Sequence, residues 1–248
     1  MIRNRLLQIA QLSAVGLTGF YIGQNKDKFS NYSNDDSIII DGKRLRSMPG
    51  LPVFGTVSAA TPYTDSGSSK DRVSQIMKSQ NSDYKGSGFD RGHMAAAGNH
   101  RLSQKHVEQT FFLTNMAPQV GEGFNRHAWN TLEKHVRKLT KVYSNVYCCT
   151  GPLYLPRRES DGKSYIRYQV IGANTVAVPT HFYKVVVGET RDGTLDMEAY
   201  VMPNQKIPDE TPVSAFMVPP ESIEKAAGLL FFDKIHRSKL NKINGKKV

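Results

Sequence analysis

Between Phe111 and Lys141 the chain changes its hydrophobic period. Phe111-Phe112-Leu113-Thr114-Asn115-Met116 is almost unbroken in apolar and aromatic residues, which predicts a buried strand ended by Pro118. From Asn125 to Lys141 the residues Ala128, Trp129, Leu132, Val136 and Leu139 recur at helical spacing, which predicts a long amphipathic helix with Asn125 placed to cap it. The segments 145–150, 164–171, 175–178, 181–187 and 196–202 are short and rich in Val, Ile or Tyr. Each is bounded by Gly, Pro or Asn, the pattern of an antiparallel sheet. Ser103 to Gln109 reads as a short helix capped by Ser103, and Pro219-Pro220-Glu221-Ser222 opens another that runs through Ala227.

Ahead of Asn81 this patterning fades. Residues 27–80 are rich in Ser, Asn, Gly, Pro and Thr, with Ile38-Ile39-Ile40 and Val53-Phe54 as apolar islands, and read as a linker. Residues 1–26 contain no Asp or Glu, carry Arg3, Arg5 and Lys26, and alternate apolar with small or amide residues from Leu6 to Ile22. That composition reads as a mitochondrial targeting segment, with a retained membrane anchor over residues 6–22 as the alternative. One folded domain is expected over residues 81–234, followed by a basic, solvated tail over 235–248.

A formal charge of +11 and a pI near 9.6 add the expectation of an anionic partner, because clustered Lys and Arg gain from neutralising phosphates. Cys148 and Cys149 are adjacent, so a disulfide between them is strained, and neither has a CxxC partner. They read as reduced, buried strand residues. A zinc finger or zinc deaminase is excluded because no ligand spacing fits.

The densest chemistry lies between Phe89 and Arg101. His93 carries the side chain best able to take a proton from water near neutrality, and Arg91 can oppose charge on a phosphate through its planar fork. Taken alone, either is as readily a structural hydrogen-bonder or a surface ion pair. Asn125 is by default a helix cap, and Glu133 a solvated residue or a partner of Arg137 at i,i+4. An amide oxygen with a nearby carboxylate also suits Mg²⁺, which takes few protein ligands. Asn115 is either a turn former or a hydrogen-bonder behind a site.

Several motifs occur in order: Ser87-Gly88-Phe89-Asp90-Arg91-Gly92-His93, Leu113-Thr114-Asn115-Met116-Ala117-Pro118-Gln119, and Phe124-Asn125 with Trp129 and Leu132-Glu133. They continue through Thr150-Gly151-Pro152-Leu153, Val178-Pro179-Thr180-His181-Phe182 and Tyr200-Val201-Met202-Pro203-Asn204. Together they resemble the DNA/RNA non-specific endonuclease family, and its mitochondrial members most of all. The resemblance implies an α+β fold of the ββα-metal (His-Me finger) kind, with a mostly antiparallel sheet and flanking helices. It implies His93 as general base, Arg91 as a phosphate ligand, Asn115 as a residue that helps position the site, and Glu133 ordering metal-bound waters. Asn125 becomes the direct ligand of a hydrated Mg²⁺, with Mn²⁺ a substitute. Cleavage of DNA and RNA to 5′-phosphates is implied, as are a homodimer, an intermembrane-space location with association at the inner membrane, relocation to the nucleus, and a part in DNA degradation during apoptosis.

One departure stands out. In such relatives a strand-forming stretch containing a Tyr-Asp-x-Arg run and a following Trp precedes the Asn-Ser-Asp-Tyr segment. Here Arg72 to Lys78 runs directly into Ser79-Gln80-Asn81-Ser82-Asp83-Tyr84. The expectation is a catalytic core whose sheet lacks its first strands, leaving open edges and exposed apolar faces. A catalytically impaired nucleic-acid-binding or regulatory form is therefore the alternative to an active nuclease.

Overall fold

The computed structural model describes residues 79–248 throughout and, before them, the backbone of three short strands, β1 (Thr18–Gly23), β2 (Ile39–Ile40) and β3 (Lys43–Arg44). The other residues read as targeting segment and linker lie outside the described residues. Among the described residues, no helix is long and apolar enough to cross a membrane.

After the short helix α1 (Asn81–Tyr84), strand β4 (Phe89–His93) pairs antiparallel with β5 (Met116–Val120) as a separate two-stranded ribbon. Helix α2 (Gln104–Gln109) lies between them, and the Ser103 side chain caps it by accepting from the His106 N–H at 3.2 Å. A wide helical turn over Gly121–Trp129 leads into helix α3 (Asn130–Leu139). Strand β6 (Asn145–Leu153) follows. The excursion after it holds β7 (Arg157–Arg158) paired with β8 (Ser164–Tyr165), then β9 (Val170–Ile171) paired with β10 (Val176–Ala177).

The chain then forms the hairpin of β11 (His181–Glu189) and β12 (Leu195–Pro203), crosses through helix α4 (Pro220–Ala227), and returns as β13 (Leu240–Ile243) and β14 (Lys246–Lys247). The main sheet has the order β1-β6-β11-β12-β13-β14. All its neighbours are antiparallel except β12 and β13, which the α4 crossover makes parallel.

Both faces of this sheet are covered, which is why β11 is apolar along most of its length instead of alternating. Phe182 and Val186 face the helix side, packed with Cys148, Tyr200 and Met202 against Phe124, Trp129, Leu132 and Val136. Tyr183, Val185 and Val187 face the other side, packed with Met197, Ala199 and Leu153 against Ile223, Phe231, Phe232 and Leu240. Cys148 and Cys149 are free and buried, one on each side.

The structure departs from the sequence patterning in three places. The expected strand from Phe111 to Met116 begins only at Met116, and Leu113–Asn115 is a tight helical turn. Phe111 is 57% exposed. Pro118 lies inside β5 because the ribbon has a single partner strand, so a residue without an N–H costs no ladder bond on the open side. Residues 240–247, part of the stretch read as a solvated tail, join the sheet. Leu240 is buried there, and Asn244 clasps Ala199 N–H and the Val218 carbonyl at 2.9 and 2.8 Å. Finally, the outer edge of β6 is paired with β1, whose register runs from Thr18 opposite Thr150 to Gly23 opposite Asn145. An apolar strip is nevertheless exposed at Ile166, Tyr168 and Val170.

Candidate active site

The ribbon is built around a close approach. Gly92 is buried opposite Ala117, and a Cβ there would lie 2.1 Å from Cδ of Gln119, so only glycine lets that side chain cross beneath the strand. Gln119 is fully buried, and neither end of its amide has a hydrogen-bond partner.

At the end of β4 the chain turns away through Met94 and Ala95, and Asn115 holds that turn. Its Oδ1 accepts from Ala95 N–H at 2.9 Å, while its Nδ2 donates to the carbonyls of Ala95 at 3.0 Å and Thr110 at 2.8 Å. Both ends of the amide are spent on backbone, so Asn115 fixes where His93 sits and does not itself reach toward solvent. His93 packs edge-on against the Phe111 ring, with centroids 4.6 Å apart, and its buried Nε2 has no hydrogen-bond partner. Burial pushes the imidazole below its ordinary range, so the ring is neutral at pH 7. With Nε2 buried, Nδ1 is the nitrogen of the neutral ring left free to take a proton.

Three residues earlier on the same strand, Asp90 faces the start of the helix. The Arg126 fork donates to it from Nη2 at 2.8 Å and Nε at 2.9 Å, and Asn125 Nδ2 donates to its Oδ2 at 2.9 Å. These donors, Arg126 foremost, hold the Asp90 carboxyl below the usual carboxylate range. A carboxylate can only accept, so it orients the Asn125 amide with Nδ2 inward. Asn125 Oδ1 is left as the available acceptor. Asn125 is thus no helix cap: its side chain bonds no backbone N–H, and the turn opens at Gly123, where φ is +77° and a Cβ would meet Lys206.

Arg91 is exposed on the strand face shared with His93, one Nη1 donating to Asn81 Oδ1. Glu133 lies two turns beyond Asn125 with its side chain 14% exposed, 4.0 Å from Arg137. Burial pushes its carboxyl above the usual range, opposed by the charges of Lys184 and Arg137. Arg137 in turn donates to Asn99 Oδ1 at 3.0 Å, tying the helix to the loop after His93.

An amide oxygen set by a carboxylate, with a second carboxylate on the same helix, fits a hard divalent cation that keeps most of its waters. Among the described residues no group of three or more His, Cys, Asp or Glu side chains is arranged to hold a metal. A metal here would rest chiefly on Asn125 Oδ1. Sequence reasoning passed over Asp90 as an orienting group, Gln119 as a buried amide, and Asn204, which links the ribbon to the sheet: its Oδ1 accepts from Val120 N–H at 2.9 Å and its Nδ2 donates to the Pro118 and Pro179 carbonyls at 3.0 and 2.9 Å. The buried, unpaired amide of Gln119 and the Asp90–Asn125 pair leave no periodic trace, so only the fold exposes them.

A two-stranded ribbon and a helix that present an imidazole, an amide and a carboxylate beside an antiparallel sheet define a ββα-type nuclease fold. The chain belongs to the DNA/RNA non-specific endonuclease family, whose pattern matches residues 59–238, beginning within the stretch read from composition as linker. Endonuclease G, mitochondrial, of Bos taurus is 57% identical over 165 residues, covering 66% of this chain and 55% of its own length. The Caenorhabditis elegans protein of the same name is 56% identical over 173 residues, covering 70% and 56%. The chain therefore spans little more than half the length of these relatives. A solved structure, described as the EndoG/EndoGI complex and the mechanism of EndoG inhibition, superposes with a TM-score of 0.68 at 73% identity, over 68% of this chain and 69% of that one.

Proposed function

We propose that the chain is a metal-dependent endonuclease that hydrolyses phosphodiester bonds of DNA and RNA with little sequence specificity. The observation that carries this is the neutral His93 ring, its Nε2 buried and its Nδ1 free to accept, on the strand whose Asp90 sets the amide of Asn125. Family membership and the names of the relatives support it. In this reading His93 accepts, at Nδ1, a proton from the water that attacks phosphorus in line, with the ring proton on the buried Nε2. Arg91 binds a non-bridging phosphate oxygen. Asn125 Oδ1 would hold Mg²⁺, or Mn²⁺ in its place, and Glu133 would order the waters around it. Bound there, the cation supplies positive charge against that which develops on the phosphate and the departing 3′ oxygen. Contacts mainly to backbone phosphates would account for the absence of base preference.

The mitochondrial names of the relatives support a mitochondrial location, and the acid-free first 26 residues support a targeting role for that segment. The impaired-form alternative rests on the strand-forming stretch missing before Asn81 and on the exposed Ile166, Tyr168 and Val170. A plasmid-nicking assay with Mg²⁺ and with EDTA separates the two. EDTA-sensitive nicking is the expected result, and folded protein that binds DNA without nicking it would favour the impaired form.

A further inference from the structure

An exposed arginine on an open strand has a long, mobile side chain, and ordering it against a phosphate costs conformational entropy. Arg91 is exposed, yet its fork is already engaged: Nη1 donates to Oδ1 of Asn81, ten residues earlier on α1. That bond uses one of the five guanidinium N–H donors, and the acceptor is a neutral amide. The fork is held without having its charge cancelled, as a carboxylate in the same place would do.

Asn81 can hold Arg91 only if α1 is itself held. The helix has four residues, too few to stand by itself. Its third residue, Asp83, is 2% exposed and anchors it. Asp83 Oδ2 accepts from Gln80 N–H at 2.7 Å and from Asn174 Nδ2 at 2.9 Å, while Oδ1 accepts from Asn174 N–H at 3.2 Å. These donors, the Asn174 amide foremost, hold the carboxyl below the usual carboxylate range. The turn between β9 and β10 is shaped for this approach. Gly172 has a φ of +66°, and a Cβ there would lie 2.2 Å from Asp83 Oδ1. Tyr84 packs with Ile171 and Val178, and in the loop leading to β4 the Ser87 hydroxyl donates to the Tyr84 carbonyl at 2.8 Å and accepts from Phe89 N–H at 3.2 Å. All these partners lie at or after Gln80, so the grip on Arg91 does not draw on the strand-forming stretch missing before Asn81.

We propose that Asn81 is a positioning residue for Arg91, and that Asp83, clasped on the turn at residues 172–174, holds α1 where Asn81 can act. The proposal rests on the nuclease reading in taking a DNA phosphate as the ligand of Arg91.

Asn81→Ala, Arg91→Ala and the double variant of the full chain form a cycle, read by the anisotropy of a fluorescein-labelled DNA duplex in EDTA. Asn81→Ala should weaken binding about two- to tenfold, the effect of leaving one long side chain for the ligand to order. It should cost nothing more in the Arg91→Ala background, and Tm should stay near wild type because Asn81 is exposed. Additive losses, or no loss in the single variant, overturn the proposal. In cleavage with Mg²⁺, Asn81→Ala should raise KM by a like factor and leave kcat within about twofold, because the ordering cost is common to the bound substrate and the transition state. A fall in kcat at unchanged KM overturns it as well.

Asn174→Ala touches neither Arg91 nor Asn81 and tests the clasp. It should lower Tm and reproduce the loss of affinity, and a lower Tm with wild-type affinity overturns the clasp. If it does not fold, the milder Asn174→Ser is read in its place. Wild-type protein that binds the duplex but does not nick plasmid with Mg²⁺ overturns the nuclease reading and leaves the binding cycle to decide the proposal. Wild-type protein that binds no DNA overturns both.

Discussion

His93 and Asn125 have opposite surroundings, and each environment defines what its removal does. His93 has an unpartnered nitrogen and a ring shelved on Phe111, so His93→Ala should cost cleavage about a hundred- to ten-thousandfold while leaving DNA affinity near wild type, as measured by nicking and by filter binding. Because burial holds the ring below its ordinary value of 6.5, the acid limb of kcat/KM should fall below that pH; a limb above it would point to another base. Asn125 is tied only to Asp90, so Asn125→Ala should lose about 1 kcal/mol of stability yet raise the Mg²⁺ concentration needed for half-maximal cleavage severalfold. A large drop in Tm with unchanged metal dependence would return the residue to a structural role. Both residues were legible as candidates from their motifs. Asp90, which orients one of them, was legible only as a neighbour of Arg91, because its link to Asn125 spans 35 positions.

At the scale of elements, the amphipathic helix and the strands of the main sheet were legible because packing against one another imposes their periods. Leu132 and Val136 are buried where the spacing puts them, and β11 is apolar because both its faces are covered. The ribbon was misplaced, since Phe111 and Phe112 look like strand residues and serve instead as exposed aromatic surface beside His93. What shapes that region is Asn115, a polar residue spent wholly on backbone. Asn115→Ala would take a donor from the Ala95 and Thr110 carbonyls and an acceptor from the Ala95 N–H, at about 1–3 kcal/mol, and loosen the turn after His93. The expected outcome is a lower denaturant midpoint together with a lower kcat at unchanged Mg²⁺ requirement. A loss of metal affinity instead would place the residue on the wrong side of the site.

For the molecule as a whole, proton linkage sets a direction. His93, His100 and His181 are all held below their ordinary values chiefly by burial, so the unfolded chain takes up protons first as pH falls. Stability is therefore full above the unfolded value and is lost as pH drops through the lower folded values. Tm measured over about pH 5 to 7 should fall toward the acid end, and a flat profile would show that these rings titrate normally. The two-part build of the domain has a different consequence. The ribbon that carries His93 and Asp90 shares no ladder bond with the large sheet among the described residues; Asn204, the helix and the packing of Met94 and Ala117 join the two. Heating should then silence the protein before it melts. Residual activity after brief incubation would decline at temperatures where the circular dichroism of the sheet is unchanged, and amide protons of residues 89–93 and 116–120 would exchange ahead of those of 182–187. Catalytic lifetime in such a molecule is limited by how firmly Asn204, the helix and the packing of Met94 and Ala117 hold a small plate against a large one, not by the strength of the large sheet itself.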